Sequence, residues 1–211
     1  MQFERKKNYF ITLEGTEGAG KSTALRFLQD ALLKAKIPLV TTREPGGTPI
    51  AEEIRALLLG KHAEIMSSDT ELLLMFACRA QHLANLIRPA LAAGQWVICD
   101  RFTDASYAYQ GGGRGIAEYR IAALETWVQQ GLQPDITILL DLPVEIGLQR
   151  IKKRGNLDRI ETEQHAFFQH IRDSYLARAK QFPNRFRIVD ASQSLAKVKE
   201  ALQGIINDLV D

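Results

Sequence analysis

The stretch FITLEGTEGAGKSTALRFL, residues 10–28, decides the fold. It begins with a short apolar run that stops at Gly15, and apolar residues recur at helical spacing after Lys21. Between the two, residues 15–22 match the pattern G-x-x-x-x-G-K-[ST]. A loop of this kind between a strand and a helix turns backbone N–H groups and the helix N-terminus towards phosphate oxygens. The sequence therefore predicts a phosphate-binding loop after the first strand of an α/β sheet.

This loop is expected to bind a nucleoside triphosphate. Lys21 would reach the β- and γ-phosphates, and the hydroxyl of Ser22 would bind Mg²⁺. Glu17 is unexpected here, because its carboxylate has the same sign of charge as the phosphates. The residues predicted to contact the nucleotide are Gly15, Thr16, Glu17, Gly18, Ala19, Gly20, Lys21, Ser22 and Thr23.

The rest of the chain alternates short apolar runs with helical patterns. The runs predict strands over residues 9–14, 37–42, 95–100, 135–141 and 185–190. Continuous apolar strands separated by helices are typical of a parallel sheet covered on both faces. The 211 residues contain no internal repeat and no Pro- or Ser-rich linker. We therefore expect one α/β domain over residues 1–211, with a five-stranded parallel sheet flanked by helices.

Composition limits the class of protein. The formal net charge is +2, from 27 basic and 25 acidic residues, which argues against a protein that coats nucleic acid. The first ten residues lack the apolar core of a signal peptide, and no run approaches the roughly 18 apolar residues of a membrane span. Cys78 and Cys99 lie in apolar segments with no cysteine or histidine at ligand spacing. We expect reduced thiols in a cytoplasmic protein with no nucleic-acid or membrane partner.

Several charged residues follow the predicted strands, where ligands of parallel sheets bind. Arg43 ends the second strand, and Asp100 and Arg101 end the third. Arg79 lies in an otherwise apolar helical pattern, where an arginine either pairs with an acid or holds an anion. Because guanidinium groups bind phosphate in a bidentate manner, the three arginines predict a second phosphate site that faces Lys21.

A phosphate acceptor would need no general base. A phosphate monoester is mostly dianionic at pH 7, since its second pKa is about 6, and it can attack directly. Asp100 is therefore assigned to Mg²⁺ through water, the alternative being a structural pair with Arg101. A nucleoside acceptor would instead need Glu17 or Asp100 as a base. A nucleotide-dependent switch would need no acceptor, and the absence of an Asn-Lys-x-Asp motif weakens that class.

Residues 150–160, RIKKRGNLDRI, are basic and contain one glycine. Runs of charge are usually solvated surface loops. In a kinase, such a segment closes as a lid that excludes water and brings an arginine to the transferring phosphate. Composition alone leaves both interpretations open.

Six segments together resemble the bacterial thymidylate kinase family, over about residues 10–191 and in the same order: GTEGAGKST, TREPGGT, FACRAQH, DRFTDASYAYQGGGRG, PDITILLDLPVEIGL and RGNLDRIE. The second and fourth are far more specific than the phosphate loop. The resemblance implies a P-loop nucleoside monophosphate kinase fold with a short lid at about residues 150–160. It implies transfer of the γ-phosphate of ATP to dTMP in dTTP synthesis, with Mg²⁺ as cofactor. It also implies a homodimer formed through helices.

The resemblance further implies how dTMP is bound. Glu17 would accept a hydrogen bond from the 3′-hydroxyl, and Tyr109 would leave no room for a 2′-hydroxyl. Ser106 and Gln110 would reach the thymine edge, and the three arginines would hold the phosphate. The residues implied to contact dTMP are Glu17, Arg43, Phe76, Arg79, Arg101, Ser106, Tyr109 and Gln110.

One position departs from the family pattern. Many members place a phenylalanine four residues before the helix arginine, where it stacks on thymine. Here that position is Met75, and Phe76 is three residues before Arg79. Both spacings lie on the same side of a helix as the arginine. We favour Phe76 because a flat ring stacks better, the alternative being that Phe76 is core and Met75 contacts the base.

The family also differs in where it carries a catalytic arginine. One type has it in the phosphate loop, where this chain has Gly18, and the other type has it in the lid. The chain resembles the lid-arginine type. The implied catalytic residues are Lys21, Arg101 and one lid arginine, with Arg154 and Arg159 as unresolved alternatives.

Overall fold

The computed structural model describes residues 8–155 and 158–210, without the side chain of Arg154. Its strands are β1 (Phe10–Glu14), β2 (Leu39–Arg43), β3 (Trp96–Asp100), β4 (Ile136–Asp141) and β5 (Phe186–Asp190). Its helices are α1 (Lys21–Lys34), α2 (Pro49–Leu59), α3 (Ser68–His82), α4 (Arg88–Ala92), α5 (Thr103–Ser106), α6 (Glu118–Gln129), α7 (Val144–Arg154), α8 (His165–Gln181) and α9 (Leu195–Val210). In these ranges no helix is both long and apolar enough to cross a membrane.

The sheet is parallel throughout and has the strand order β2-β3-β1-β4-β5. Each strand that the sequence predicted is confirmed to within two residues. In the register, Asp100 of β3 lies beside Leu13 of β1 on one side and Arg43 of β2 on the other. The carboxyl ends of the three strands therefore meet, and the loop after β1 lies next to the residues that end β2 and β3.

Both faces of the sheet are covered, as its continuous apolar strands require. On one face Ile11 and Leu13 pack with residues of α1 and α9, including Leu28 and Leu202. On the other face Phe10 packs with Val97, Phe102 and the segment that follows α3. α3 begins with a side-chain cap: Ser67 Oγ accepts a 3.1 Å hydrogen bond from the amide of Thr70.

The chain after β3 is helical, which its polar residues and glycine run did not indicate. α5 continues into a π-helical segment, Tyr107–Gly113, which packs on α8. The approach is close: a Cβ on Gly112 would come within 2.8 Å of the His170 carbonyl oxygen, and one on Gly113 within 2.5 Å of the Phe167 ring. The glycines thus serve packing, and the helical segment turns Ser106, Tyr109 and Gln110 towards the carboxyl ends of the strands.

Candidate functional site

A cleft of about 800 Å³ opens at the carboxyl ends of β1, β2 and β3. Its walls come from the phosphate loop, the TREPGG segment, α3, the segment after β3 and the end of α7. The predicted site residues that line it are Glu17, Gly18, Gly20, Lys21, Ser22, Thr23, Arg43, Arg79, Asp100, Arg101, Ser106, Tyr109 and Gln110. Most of the residues selected from the sequence are therefore brought to one cavity.

The phosphate loop is held in shape by its own lysine. Lys21 Nζ donates 3.0 Å hydrogen bonds to the carbonyl oxygens of Gly15 and Thr16, and the side chain is buried. Burial, reinforced by the charge of Arg101, lowers the pKa of Lys21 from its usual value. The first turn of α1 begins directly after Gly20. Its N-terminal amides and Lys21 together form a cationic end to the cleft.

Gly18 has no room for a side chain. Its φ is +75°, and a Cβ there would lie 2.5 Å from the carbonyl oxygen of Gly147 in α7. Arg150 of α7 donates a 3.1 Å hydrogen bond to the Gly18 carbonyl oxygen from across the cleft rim. The backbone of α7 thus occupies the space that a side chain at this loop position would need.

Glu17 is paired with Arg101. Arg101 Nη2 donates to Glu17 Oε1 at 2.5 Å and to the Tyr109 hydroxyl oxygen at 2.7 Å, and that hydroxyl donates to Glu17 Oε1 at 3.1 Å. Burial alone would raise the pKa of Glu17, but the charges of Arg101 and Lys21 outweigh it and lower the pKa to about 2. The carboxylate is ionised at neutral pH and sits on the Tyr109 side of the cleft.

Arg101 adopts an uncommon backbone conformation, with φ at +69°. Its amide donates to the Leu13 carbonyl oxygen at 2.9 Å, and the next amide, of Phe102, donates to Glu14 Oε1 at 2.8 Å. Glu14 Oε2 in turn accepts from the Tyr175 hydroxyl at 2.7 Å. Hydrogen bonds from the amides of Arg101 and Phe102 therefore hold the turn that positions Arg101.

Arg79 is almost completely buried and is only partly paired. Its Nε donates to Glu44 Oε2 at 2.8 Å, and its Nη2 donates at 3.1 Å both to the Phe102 carbonyl oxygen and to Ser106 Oγ. Glu44 also contacts the ring of His82 at 3.1 Å. Within the described chain, Arg79 Nη1 and Arg101 Nε are buried without a hydrogen-bond partner. The pairing alternative for Arg79 is thus present, and one of its guanidinium nitrogens is left without a partner in the described chain.

The structure differs from the favoured expectation at the end of α3. Phe76 is 2% exposed and packs with Leu72, Tyr107 and neighbouring apolar side chains, while the Arg79 guanidinium lies 4.6 Å above its ring. Phe76 does not line the cleft, whereas Met75 does. A guanidinium over an aromatic ring is a favourable contact, and here it accompanies a Phe76 ring that is packed in the core. Of the two side chains, Met75 is therefore the one that lines the cleft.

Two arginines lie near the entrance of the cleft. Arg43 is half-exposed, and its Nη2 donates 2.9 Å hydrogen bonds to both carboxylate oxygens of Glu52. Arg55 of α2 donates a 2.6 Å hydrogen bond to the Pro45 carbonyl oxygen, and burial and the charge of Arg43 lower its pKa. Sequence reasoning missed Arg55, because one arginine in an amphipathic helix resembles any solvated residue. It also missed Glu44, although that residue lies inside TREPGGT.

Gln110 is held by a buried carboxylate. Its Nε2 donates a 2.9 Å hydrogen bond to Glu71 Oε1, and Glu71 also accepts from Arg114 and Arg159. Arg159 Nη2 lies 2.6 Å from Glu71 Oε2, and its Nε donates to the Leu58 carbonyl oxygen at 3.0 Å. Arg159 therefore caps the end of α2 and does not line the cleft. The side chain of Arg154, the other expected lid arginine, lies outside the described residues.

A second cavity, of about 220 Å³, adjoins the far side of the phosphate loop. It is lined by Ala19, Thr23 and Phe27 of the loop and α1, by Arg150, and by Gln193 after β5. Arg150 borders both cavities and also donates to the Ala191 carbonyl oxygen at 3.3 Å. Of the remaining loop residues, Gly15 and Thr16 line neither cavity, and the Thr16 hydroxyl is buried without a partner among the described residues.

The predicted metal ligands lie together in the main cleft. Asp100 Oδ1 is buried and finds no hydrogen-bond partner within the described ranges, and Ser22 lines the same cavity. No three His, Cys, Asp or Glu side chains are grouped as a metal cage anywhere in residues 8–155 and 158–210.

The chain is similar to proteins of a known family. The family model described as thymidylate kinase matches residues 13–202. A thymidylate kinase of Pseudomonas syringae pv. tomato is 60% identical over 202 residues, which cover 96% of both chains. Thymidylate kinases of Pseudomonas fluorescens and Pseudomonas putida are 58% and 56% identical over the same length, covering 96% and 98% of those proteins.

Proposed function

The chain belongs to the thymidylate kinase family and phosphorylates dTMP to dTDP with ATP, and we propose that both nucleotides meet in the cleft between Lys21 and Arg101. One observation supports this most directly. Arg79 and Arg101 each keep a buried guanidinium N–H without a partner in the described chain, in the cleft that Lys21 closes. Unpaired buried donors are costly, and a phosphate group would satisfy both.

For the acceptor we propose one binding mode. Arg79 and Arg101 hold the dTMP phosphate, with Arg43 and Arg55 at the entrance. Glu17 lies on the Tyr109 side, where its carboxylate accepts from the 3′-hydroxyl and the Tyr109 ring excludes a 2′-hydroxyl. The thymine edge meets a separate set of cleft residues, which we assign as Met75, Ser106 and Gln110.

For the chemistry we propose that positioning and positive charge suffice. The dianionic dTMP phosphate attacks without a general base, and charge on the transferring group is stabilised by Lys21, Arg101 and a lid arginine. Arg154 is the better of the two lid alternatives, because Arg159 is bound to Glu71 and to the end of α2. We propose that the segment at about residues 150–160 acts as the lid, with Arg159 as part of its fixed end.

Mg²⁺ is proposed as the cofactor that accompanies ATP. When bound, it neutralises phosphate charge and lowers the barrier to transfer. Ser22 would hold it directly and Asp100 through water, and the unpartnered Asp100 Oδ1 supports this assignment.

The donor base is proposed to occupy the second cavity. The phosphate loop fixes the triphosphate, so the adenosine must extend away from the acceptor cleft. The cavity beside Thr23, Arg150 and Gln193 lies in that direction. Arg150 borders both cavities, and its planar guanidinium can stack on a base.

A homodimer through α3 and α6 is proposed from their exposed faces. A stripe of exposed apolar residues at helical spacing consists of Leu73, Ala77 and Ala80 of α3 and Ala84 just after it. Leu73 is 56% exposed. On the neighbouring α6, Trp127 is 75% exposed. Exposed apolar side chains on neighbouring helices are typical of a subunit interface. Sedimentation equilibrium should give a dimer, and Ala80→Arg should give a monomer; a wild-type monomer at assay concentrations would exclude this interface.

A cytoplasmic location is proposed from the cysteines. Cys78 and Cys99 are free and buried. Burial raises the pKa of the Cys78 thiol to about 11, so it stays protonated and unreactive. Such thiols suit a reducing compartment.

The test of function is a coupled assay of ADP release. The purified protein receives ATP, Mg²⁺ and, in turn, dTMP, dUMP, AMP, GMP, CMP, UMP and thymidine. Turnover with dTMP far above the others is expected. A preference for another monophosphate would reject the thymine contacts, activity only on thymidine would require a general base, and ADP release indifferent to every acceptor would reject the acceptor site.

A further inference from the structure

Glu71 is a buried carboxylate that touches none of the reacting groups. It is 1% exposed, at the first turn of α3, and its two oxygens accept four hydrogen bonds. Oε1 accepts from Gln110 Nε2 at 2.9 Å and from Arg114 Nε at 3.3 Å, and Oε2 accepts from Arg114 Nη2 at 3.2 Å and from Arg159 Nη2 at 2.6 Å. Both oxygens are thus fully used, by donors from two segments: Gln110 and Arg114 of the π-helical segment and its end, and Arg159.

Two arginines keep Glu71 ionised. Burial opposes ionisation, but the Gln110 hydrogen bond and the charge of Arg114 outweigh it, so the pKa of Glu71 lies below its usual value. Arg114 is itself fixed, with Nη1 2.6 Å from Glu163 Oε1 and its guanidinium 4.6 Å above the Phe167 ring. The carboxylate is therefore a rigid, acceptor-only group at neutral pH.

An acceptor-only neighbour decides which way the Gln110 amide faces. The amide has an NH₂ donor end and a carbonyl acceptor end, and only the NH₂ end can bond to Glu71. Gln110 lines the cleft, and within the described ranges its Oε1 accepts no hydrogen bond. The carbonyl oxygen is thus the end of the amide left for a ligand.

We propose that Glu71 is the positioning residue for base selection: by fixing the Gln110 amide with its carbonyl oxygen free, it makes the site accept a base that donates from its ring N3. This rests on the proposed role of Gln110 at the thymine edge. Thymine and uracil carry N3–H between two carbonyl groups, whereas cytosine has an N3 lone pair next to its amino group. A cytosine N3 would meet an oxygen with no proton between them, so dCMP is rejected.

The test compares kcat/KM for dTMP with that for dCMP. In Glu71→Gln the replaced group donates as well as accepts, so the Gln110 amide can turn over. We expect the ratio of the two constants to fall by at least about tenfold, while KM for ATP stays within about twofold. An unchanged ratio in a folded Glu71→Gln variant would overturn the proposal.

The matched control is Asp69→Asn. It also removes a carboxylate from the first turn of α3, where Asp69 pairs with Arg120 at 2.8 Å but has no link to Gln110. The ratio should remain at the wild-type value. A fall in this control equal to that of Glu71→Gln would show that any loss of charge from the helix suffices, and would reject the specific role.

A double-mutant cycle separates positioning from general damage. In a Gln110→Ala background, Glu71→Gln should change the ratio no further, because the group it orients is gone. A second, additive fall would overturn the inference. If Gln110→Ala leaves the ratio at the wild-type value, the base contact assigned to Gln110 under the proposed function fails instead.

Glu71→Asp is a second variant, which tests the proposal if Glu71→Gln does not fold. Glu71→Asp keeps the charge that Arg114 and Arg159 need but draws the oxygens back from Gln110 by one carbon–carbon bond. We expect a fall in the ratio intermediate between wild type and Glu71→Gln. A Glu71→Asp enzyme with the full wild-type ratio would contradict a role that depends on this hydrogen bond.

Discussion

Arg101 Nη2 lies 2.5 Å from Glu17 Oε1, so the carboxylate of the phosphate loop and the arginine that ends β3 form one ion pair in the cleft. This pairing accounts for an acid in a loop built for anions. Burial opposes the ionised form of Arg101, but the charge of Glu17 outweighs it and raises the pKa of Arg101 well above its usual value. Glu17 thereby helps to hold a partly buried arginine in the cleft.

Glu17→Gln should impair use of dTMP more than use of ATP. The amide keeps a hydrogen-bond acceptor but loses the charge that pairs with Arg101, so Arg101 and the deoxyribose are held less firmly. We expect kcat/KM for dTMP to fall by about 10–100-fold and KM for ATP to change by less than about threefold. Steady-state kinetics with each substrate varied would measure this, with exposed Glu53→Gln as control. A collapse of ATP affinity would place the carboxylate on the donor side.

Tyr109 combines a hydroxyl and a ring whose effects can be separated. Tyr109→Phe removes only the hydroxyl that bridges Arg101 and Glu17, so we expect kcat/KM for dTMP to fall by about 3–30-fold. The Tyr109→Phe variant should still prefer dTMP over its ribose analogue. Tyr109→Ala should narrow that preference, because the space beside the 2′ position opens. The same preference in both variants would argue against steric exclusion by the ring.

The two lid arginines should behave differently. Arg154→Ala is expected to lower kcat by about 10²–10⁴-fold with little change in either KM, as for an arginine that acts on the transferring group. Arg159→Ala should lower kcat by less than about tenfold, because Arg159 is bound to Glu71 and the end of α2. Exposed Lys153→Ala provides the control for charge in this segment. A large kcat loss in Arg159→Ala alone would reverse the assignment.

Gly18 and Gly20 offer a matched pair for backbone strain and crowding. Both have positive φ, +75° and +90°, but a Cβ on Gly20 would meet no atom within 4 Å, whereas one on Gly18 would meet the Gly147 backbone at 2.5 Å. We expect Gly20→Ala to cost about 1–2 kcal/mol of unfolding free energy and Gly18→Ala about 2–5 kcal/mol. Urea unfolding monitored by circular dichroism would measure both, and equal losses would contradict the contact with α7.

Glu14 should make stability depend on pH. Burial and the charge of Asp104 raise its pKa from 4.5 to about 8, so the folded state keeps a proton that the unfolded chain releases between these values. The free energy of unfolding is therefore highest below pH 4.5. It falls as pH rises from 4.5 through 8, because in this range only the unfolded chain ionises Glu14. Glu14→Gln removes this dependence. The Tm of wild type minus that of the variant should become more negative from pH 6 to pH 9; a constant difference would show that Glu14 is not protonated in the fold.

Most residues of the candidate site could be predicted from the sequence, because they lie in segments with strong local signals. Gly15 to Thr23 follow a strand and open a helix, and Arg43 and Arg101 stand at strand ends, where a parallel sheet must bring them together. Arg55 and Glu71 gave no such signal. Each looks like an ordinary charged residue of an amphipathic helix until the packing of that helix shows which way it faces.

By itself, the sequence determined the parallel sheet, the phosphate loop and the family, because short-range patterns of apolar residues and glycines carry that information. Only the tertiary structure decided that Phe76 supports Arg79 while Met75 faces the cleft, and that Arg159 binds Glu71 instead of lining the cleft. Residues at adjacent helical positions are equivalent in a sequence pattern. Which one enters a cleft depends on contacts with segments far along the chain.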